Sequence, residues 1–203
     1  MFIQIIQGRC SRQEELRATA DQWREELAPT AVGWLGGTYG FTDDDQFVGV
    51  VRFESREAAE ANARRPEQTE WWSRMERLFD GPVEFHDCDQ VVLMMDGGSD
   101  DAGFVQVIRG KIDNPDALER DMPKMQSMLH DLRPEILGAT FAVEPDGTFT
   151  ETVAFTDEAA ARAGESKEVP NTDEMRQAFS SWDHMVHDLS YLDLHHPWFA
   201  SRT

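Results

Sequence analysis

The chain repeats itself. Laid on itself with a shift of 102 positions, Phe2–Ala61 matches Phe104–Ala163 without a gap, and sixteen of the sixty pairs are identical. About four identities are expected by chance at average residue frequencies. The matches include Phe2/Phe104, Gln4/Gln106, Gly8/Gly110, Gly36/Gly138, Phe47/Phe149 and Phe53/Phe155. After a small change in length, His86-Asp87 aligns with His187-Asp188. The segment Asp96-Gly97-Gly98-Ser99-Asp100-Asp101-Ala102-Gly103 has linker composition. A length of 203 residues fits one domain or two. The repeat decides for two: a first unit over 1–95, a linker over 96–103 and a second unit over 104–203.

Each copy follows the same order of elements. Phe2–Gly8 and Phe104–Gly110 are β-rich runs. Ser11 with Glu14 has the spacing of a capping box, and Asp113 stands at the matching N-cap position. Leu16, Ala20, Trp23 and Leu27, then Leu118, Met122, Met125 and Leu129, recur at the spacing of one helical face. Hairpins are expected across Asp43-Asp44-Asp45 and Pro145-Asp146-Gly147. Ser55 and Asp157 are placed to cap a following helix. An aromatic helix carries Trp71 and Trp72 in the first copy, and Met175, Phe179 and Trp182 in the second. A last strand is expected at 83–93 and again at 185–194.

This is the β-α-β-β-α-β order of the ferredoxin-like fold, in the α+β class. One sheet face in each unit would stay uncovered by helices, and Ile3, Ile5, Val48 and Val50 are apolar there. Packing the two sheets on one another, as an internal pseudo-dimer forming an α/β barrel, is the expected solution.

Charge narrows the partners. Thirty-nine acidic residues against nineteen basic give a net charge of −20. That field repels phosphate backbones and anionic lipid, so neither nucleic acid nor a membrane surface is an expected partner. The acidity is spread over both halves, as expected of a solvated coat. No apolar run reaches the ~20 residues of a membrane-spanning helix, and the N-terminal segment lacks the pattern of a signal peptide. Cys10 and Cys88 are expected as reduced thiols in a cytoplasmic protein.

The run Val50-Val51-Arg52-Phe53-Glu54-Ser55-Arg56-Glu57-Ala58-Ala59, followed by Glu70-Trp71-Trp72-Ser73-Arg74-Met75, resembles the dimeric α/β-barrel superfamily. Within it, the likeness is to antibiotic-biosynthesis-monooxygenase-like (ABM) domains, here as two units fused in tandem. The resemblance implies a small-molecule pocket between sheet and helices. Its members include cofactor-independent oxygenases, haem-degrading enzymes, isomerases and proteins with no known activity. The haem-degrading branch uses an asparagine, a tryptophan and an axial histidine. This chain has no asparagine on its first strand and no helical histidine before the last strand of the first copy.

Several side chains are candidates for a site. Trp71, Trp72, Trp23 and Phe53 are expected either to wall an apolar pocket or to fill core, and Trp182 stands in the matching region of the second copy. Gln4 and Gln106 are polar where a strand would bury an apolar residue, so their amides either enter a pocket or pair across the pseudo-twofold axis. His86 is the candidate general base, and His187 its counterpart. Both are also readable as hydrogen-bonded strand histidines. His184 and His187 form a His-x-x-His pair, but a strand would send them to opposite faces, so no metal site is expected. Gly36-Gly37 marks a bulge or a close approach.

Two functions fit. The first is binding of a small apolar or aromatic metabolite without turnover. The alternative is a cofactor-independent monooxygenase acting on an activated phenolic or polyketide-like substrate, whose carbanion reduces dioxygen. There, Trp71, Trp72, Trp23 and Phe53 would keep the pocket dry and His86 would take the proton. Neither requires a cofactor. A fused scaffold that forms homo-oligomers or contacts a protein partner is the third reading.

Overall fold

The computed structural model describes residues 1–167, 172, 173, 176, 180, 182 and 184–201, without the side chains of 119, 121, 123, 124, 128, 130 and 131. Two compact units emerge. One comprises Met1–Asp89 with His196–Thr203, and the other Gln90–His195. The division falls at Asp89/Gln90, ahead of the glycine-rich segment where composition placed it.

Unit 1 runs β1 (Phe2–Arg9), α1 (Gln13–Glu26), β2 (Trp34–Phe41), β3 (Gln46–Phe53), α2 (Arg56–Ala63), α3 (Pro66–Glu76) and β4 (Glu84–Cys88). Unit 2 runs β5 (Gln90–Met94), β6 (Phe104–Ile112), α4 (Asp116–Leu132), β7 (Ile136–Val143), β8 (Thr148–Phe155), α5 (Glu158–Glu165) and β9 (Val186–Leu194). A closing strand, β10 (Trp198–Ser201), belongs to unit 1. Each unit holds a five-stranded antiparallel sheet, ordered β10-β2-β3-β1-β4 and β5-β7-β8-β6-β9. The ferredoxin-like core therefore gains one edge strand in each unit.

The single last strand expected over 83–93 is in fact two strands serving different sheets. Arg56 explains where the first one stops. Its guanidinium donates to Asp87 Oδ2 at 3.1 Å and to both carboxylate oxygens of Asp89 at 2.8 and 2.7 Å, pinning the end of β4. The following five residues pair with β7 instead.

Glycine admits the added strands. Both β2–β3 and β7–β8 shift register beside Gly36 and Gly138, the first being the bulge that Gly36-Gly37 suggests in the sequence. Gly36 has φ 144°, and a Cβ there would lie 2.7 Å from the carbonyl oxygen of Ala200 in β10. At Gly138 a Cβ would lie 1.6 Å from the carbonyl oxygen of Gly97, just beyond β5. No side chain fits either gap.

Strand alternation then sets the core. Phe2, Phe47 and Phe53 face the helices and pack with Leu16, Trp23, Trp71 and Met75, all buried. Fully burying side chains of this kind contributes roughly 1.5–3 kcal/mol each. Phe104, Phe149 and Phe155 repeat the arrangement with Leu118 and Met122. On the other sheet face Ile3, Ile5, Val48, Val105 and Val107 are also fully buried.

Two of the four expected caps form. Ser55 Oγ accepts from Ala58 N at 3.2 Å, and Asp157 Oδ1 accepts from Ala160 N at 2.8 Å. The other two do not. Ser11 is drawn to Asp80, its backbone N–H donating to Oδ2 at 2.7 Å, and α1 begins without a side-chain cap. Asp113 lies before α4 and turns to His187, 3.3 Å from Nε2.

Candidate functional site in unit 1

A cavity of about 290 Å³ lies between the sheet and the helices of unit 1. This is near the lower end of the ~300–1,000 Å³ typical of small-molecule sites. Its floor is the helix-facing side of β1, β2 and β3, where alternation presents Gln4, Ile6, Tyr39, Phe47, Val51 and Phe53. Helices α1, α2 and α3 supply Ala20, Trp23, Ala59, Asn62, Trp71 and Trp72.

The aromatic wall is a chain of ring contacts. Trp23 and Trp71 lie 6.2 Å apart between ring centroids, and Trp71 and Trp72 lie 6.0 Å apart. Trp72 then meets Phe85 edge-on at 5.1 Å. Phe85 lines the cavity and is also 46% exposed, which puts it at the mouth. Trp71 is buried and donates its Nε1–H to the Thr19 carbonyl at 2.9 Å, whereas Trp72 is half-buried. The neighbouring tryptophans therefore divide the work, one anchored in the helix interface and one toward the opening.

Three side-chain amides interrupt the apolar lining, and each is held by its other end. Gln4 Nε2 donates to Asp87 Oδ1 at 2.9 Å, leaving Oε1 as an acceptor. Gln68 Oε1 accepts from Trp23 Nε1 at 2.6 Å, and Asn62 Oδ1 accepts from Arg65 Nη1 at 2.9 Å. Those two amides keep their N–H groups as donors. An occupant thus meets an acceptor on the sheet and donors on the helices. Tyr39 is the lining's one ionisable side chain, and burial raises its phenol, so it stays protonated.

Five candidates from the sequence, Gln4, Trp23, Phe53, Trp71 and Trp72, come together in this cavity. His86 does not join them. It pairs with Ile5, on the sheet face opposite Gln4, and its Nε2 lies 3.6 Å from Glu84 Oε2. Gln106, Trp182 and His187 belong to unit 2. Gln106 Nε2 donates to Asp193 Oδ1 at 2.9 Å, so each glutamine binds an aspartate of its own unit. Trp182 packs edge-on against Phe141 with ring centroids 5.7 Å apart. His187 is exposed between Asp188 and Asp113, which raise its pKa through hydrogen bonds.

Nor is His187 the counterpart of His86. Strand register pairs Gln4 with Asp87 and Gln106 with Asp193, so Asp193 matches Asp87 and Leu192 matches His86. A bulge in β9, with Asp188 at φ 55°, supplies one of the five extra residues that separate this match from the sequence alignment. Met175 and Phe179 lie outside the described residues. Among the described residues no group of three or more His, Cys, Asp or Glu could hold a metal ion, and Cys10 and Cys88 are both buried thiols outside any disulfide.

Sequence reasoning missed Asn62, Gln68 and Tyr39. Asn62 carried a signal, because it follows Ala59 by three residues and so shares the inward face of α2. Gln68 carried none, since its role depends on where Trp23 arrives from another helix.

No family model matches the chain, and no curated protein matches it in sequence. Solved structures do match over its full length. A candidate monooxygenase from Lactobacillus acidophilus NCFM has a TM-score of 0.73 at 13% identity, over 98% of this chain and 95% of that one. An anthrone oxidase-like protein gives 0.62 at 10% identity, over 99% and 94%. A ferredoxin-fold protein related to antibiotic biosynthesis monooxygenases, from Listeria monocytogenes 4b F2365, gives 0.51 at 9% identity, over 97% and 94%. The chain has the fold of these tandem ABM-like, ferredoxin-like proteins. Among its described residues no helix is long and apolar enough to cross a membrane.

Proposed function

We propose that the chain binds a small, flat, neutral aromatic metabolite in the unit 1 cavity. The observation that carries this reading is the pairing of an apolar, tryptophan-rich wall with three amides whose orientation is fixed from behind. Rings stack on Trp72 and Phe47, a carbonyl of the ligand accepts from Asn62 or Gln68, and a hydroxyl donates to Gln4 Oε1. No charged side chain lines the space, so a charged ligand would lose its hydration without compensation.

Titration with 1-naphthol, followed by tryptophan emission, tests the reading. Saturable quenching is expected, weakened about tenfold in Gln4→Leu, which removes the acceptor for the naphthol hydroxyl, a hydrogen bond worth about 1.4 kcal/mol. Linear, unsaturable quenching would sink it.

A second reading is supported by the likeness to the candidate monooxygenase and the anthrone oxidase-like protein. In it the cavity hosts oxidation of an anthrone-type substrate by dioxygen, giving a quinone and water. The cavity supplies a dry, aromatic enclosure and hydrogen bonds to the substrate oxygens. With Tyr39 its one ionisable group, the lining offers no strong proton acceptor near neutral pH, which favours binding over turnover. Oxygen uptake with anthrone, above the rate without protein, decides between the two.

A further inference from the structure

Tyr39, on the floor of the unit 1 cavity, corresponds to Phe141 in unit 2. Strand register supports the match. Tyr39 lies opposite Gly49 and Gly37 opposite Val51, while Phe141 lies opposite Glu151 and Ala139 opposite Val153. Two glycines make room for the tyrosine. A Cβ at Gly37 would lie 2.2 Å from Tyr39 Oη and 2.4 Å from Cζ, and one at Gly49 would lie 3.2 Å from Cδ1. Unit 2, with no hydroxyl to accommodate, carries Ala139 and Glu151 at these positions. There Phe141 closes on Phe149 with ring centroids 4.5 Å apart, whereas the stacked Tyr39 and Phe47 stand 6.5 Å apart. Tyr39 is thus laid back along β2, over Gly37.

Packing does not require the hydroxyl, because Phe141 is buried in the core at the matching place. Nor does the hydroxyl tie strands together. Among the described residues it makes no hydrogen bond, and it is not shut away from solvent as the unpaired Trp34 Nε1 is. It therefore keeps accessible surface. That surface faces the cavity, because Gly37 beneath it pairs with Val51, which lines the same space. Burial keeps the phenol protonated against the pull of Arg52, which alternation puts on the other sheet face. The floor thus presents one O–H with no partner, and an occupant that covers it without accepting its proton leaves it unsatisfied.

We infer that Tyr39 determines which ligand the unit 1 cavity takes: its hydroxyl donates to a carbonyl oxygen, and the absence of a side chain at Gly37 lets it lie where it can. This rests on the binding reading of that cavity and narrows the ligand to an aryl ketone. With Asn62 and Gln68, the lining offers three donor side chains against one fixed acceptor, Gln4 Oε1. Carbonyl oxygens satisfy such a set better than hydroxyl groups, which bring donors of their own. A ring without oxygen leaves the phenol unpaired, and a site built to hydrogen-bond a ligand rejects the analogue that lacks the matching group.

1-Tetralone and tetralin, which share a carbon skeleton and differ by the carbonyl, are the probes. In equilibrium dialysis the full chain is expected to bind 1-tetralone about tenfold more tightly than tetralin, the scale of one buried hydrogen bond. Tyr39→Phe should weaken 1-tetralone by about tenfold and leave tetralin unchanged. Gly37→Ala should do the same with the hydroxyl still present, because the added methyl displaces it; Ala139 is buried at the matching place in unit 2. Circular dichroism checks that both variants are folded. Difference infrared spectra add a readout that packing alone would not move. The carbonyl stretch of bound 1-tetralone should lie at lower frequency in the wild type than in Tyr39→Phe, because a donated hydrogen bond weakens the C=O bond. Three results would each overturn the inference: equal affinities of the wild type for the two probes, equal weakening of both in folded Tyr39→Phe, or a carbonyl stretch that the substitution leaves in place. Each can occur while 1-naphthol still binds saturably, so the inference can fail alone. Failure of 1-naphthol and both probes to bind would sink it together with the binding reading.

Discussion

Asp87 and Asp193 hold the same post in the two units, although the guanidinium that meets each comes from a different place in the repeat. Each accepts from a first-strand glutamine at 2.9 Å, Gln4 in one case and Gln106 in the other. Each also pairs with an arginine whose guanidinium lies over the first-strand phenylalanine: Arg56 is 4.7 Å above Phe2, and Arg162 is 5.2 Å above Phe104. A shift of 102 would match Arg56 with Glu158 and Arg162 with Glu60. The two copies thus keep the cluster while moving its cation along the helix by four residues, about one turn.

The arrangement predicts a measurable coupling in unit 1. In a double-mutant cycle by urea unfolding, Arg56→Gln and Asp87→Asn should couple by about 0.5–1 kcal/mol, the usual size for a partly exposed pair with good geometry. The coupling should shrink in 1 M salt. A value within error of zero at low salt would show that the aspartate is held by Gln4 alone.

The cavity makes a second prediction. Ala20 lines it, and the matching residue of unit 2 is Met122, which is buried in that unit's core. Ala20→Met should therefore fill space that the fold tolerates filled. Stability should stay the same or rise by up to about 1 kcal/mol, while 1-naphthol affinity falls at least about tenfold, a loss of about 1.4 kcal/mol. Unchanged affinity would mean that the ligand sits elsewhere.

Caps give a third contrast. Ser55→Ala and Asp157→Ala each remove an observed acceptor for a helix N-terminus and should cost about 1 kcal/mol by urea unfolding. For Ser11, removal of the hydroxyl loses only a 3.2 Å bond to Asp80, because the backbone N–H keeps its own bond to that carboxylate. Ser11→Ala should cost less than about 0.5 kcal/mol, as exposed surface substitutions do. A loss as large as that of Ser55→Ala would restore the capping reading at Ser11.

These cases show what a sequence can disclose. The repeat, the helix stripes and the hairpins rest on local periodicity, so Leu16, Trp23, Phe47 and Phe53 could be assigned to the core of unit 1 in advance. Five cavity residues followed from the same pattern, because a residue's face on a strand or helix is set by counting. What stayed hidden depended on long-range partners. Ser11 has a cap signature, but the better acceptor, Asp80, is 69 positions away. The strand expected over 83–93 is one apolar-rich run, and only the grip of Arg56 on Asp87 and Asp89 breaks it. The histidine alignment is displaced by five residues, of which the bulge at Asp188, opposite Gly110, supplies one. Glu151 had a signal that went unread: it alternates with Phe149 and Val153, and so faces the core.

Glu151 supplies the fourth prediction, on stability against pH. Its carboxyl is pushed up from an ordinary 4.5 to about 7 by desolvation. Between these values the folded chain binds a proton that the unfolded chain has released, so folding is disfavoured progressively as pH rises. The group contributes its full relative stability below about pH 4.5 and has lost it above about pH 7, a change of about 3 kcal/mol at 1.36 kcal/mol per pKa unit. Other carboxylates push the opposite way. Asp89, held below the usual range by its hydrogen bonds with Arg56, stabilises the fold at neutral pH and loses that contribution as pH falls through its lowered pKa. The difference between variants isolates Glu151. Urea unfolding of wild type and Glu151→Gln at pH 5 and pH 8 should give similar stabilities at the lower pH, with the variant more stable by about 2–3 kcal/mol at the higher. A difference that does not change with pH would show that the fold leaves this carboxyl fully hydrated.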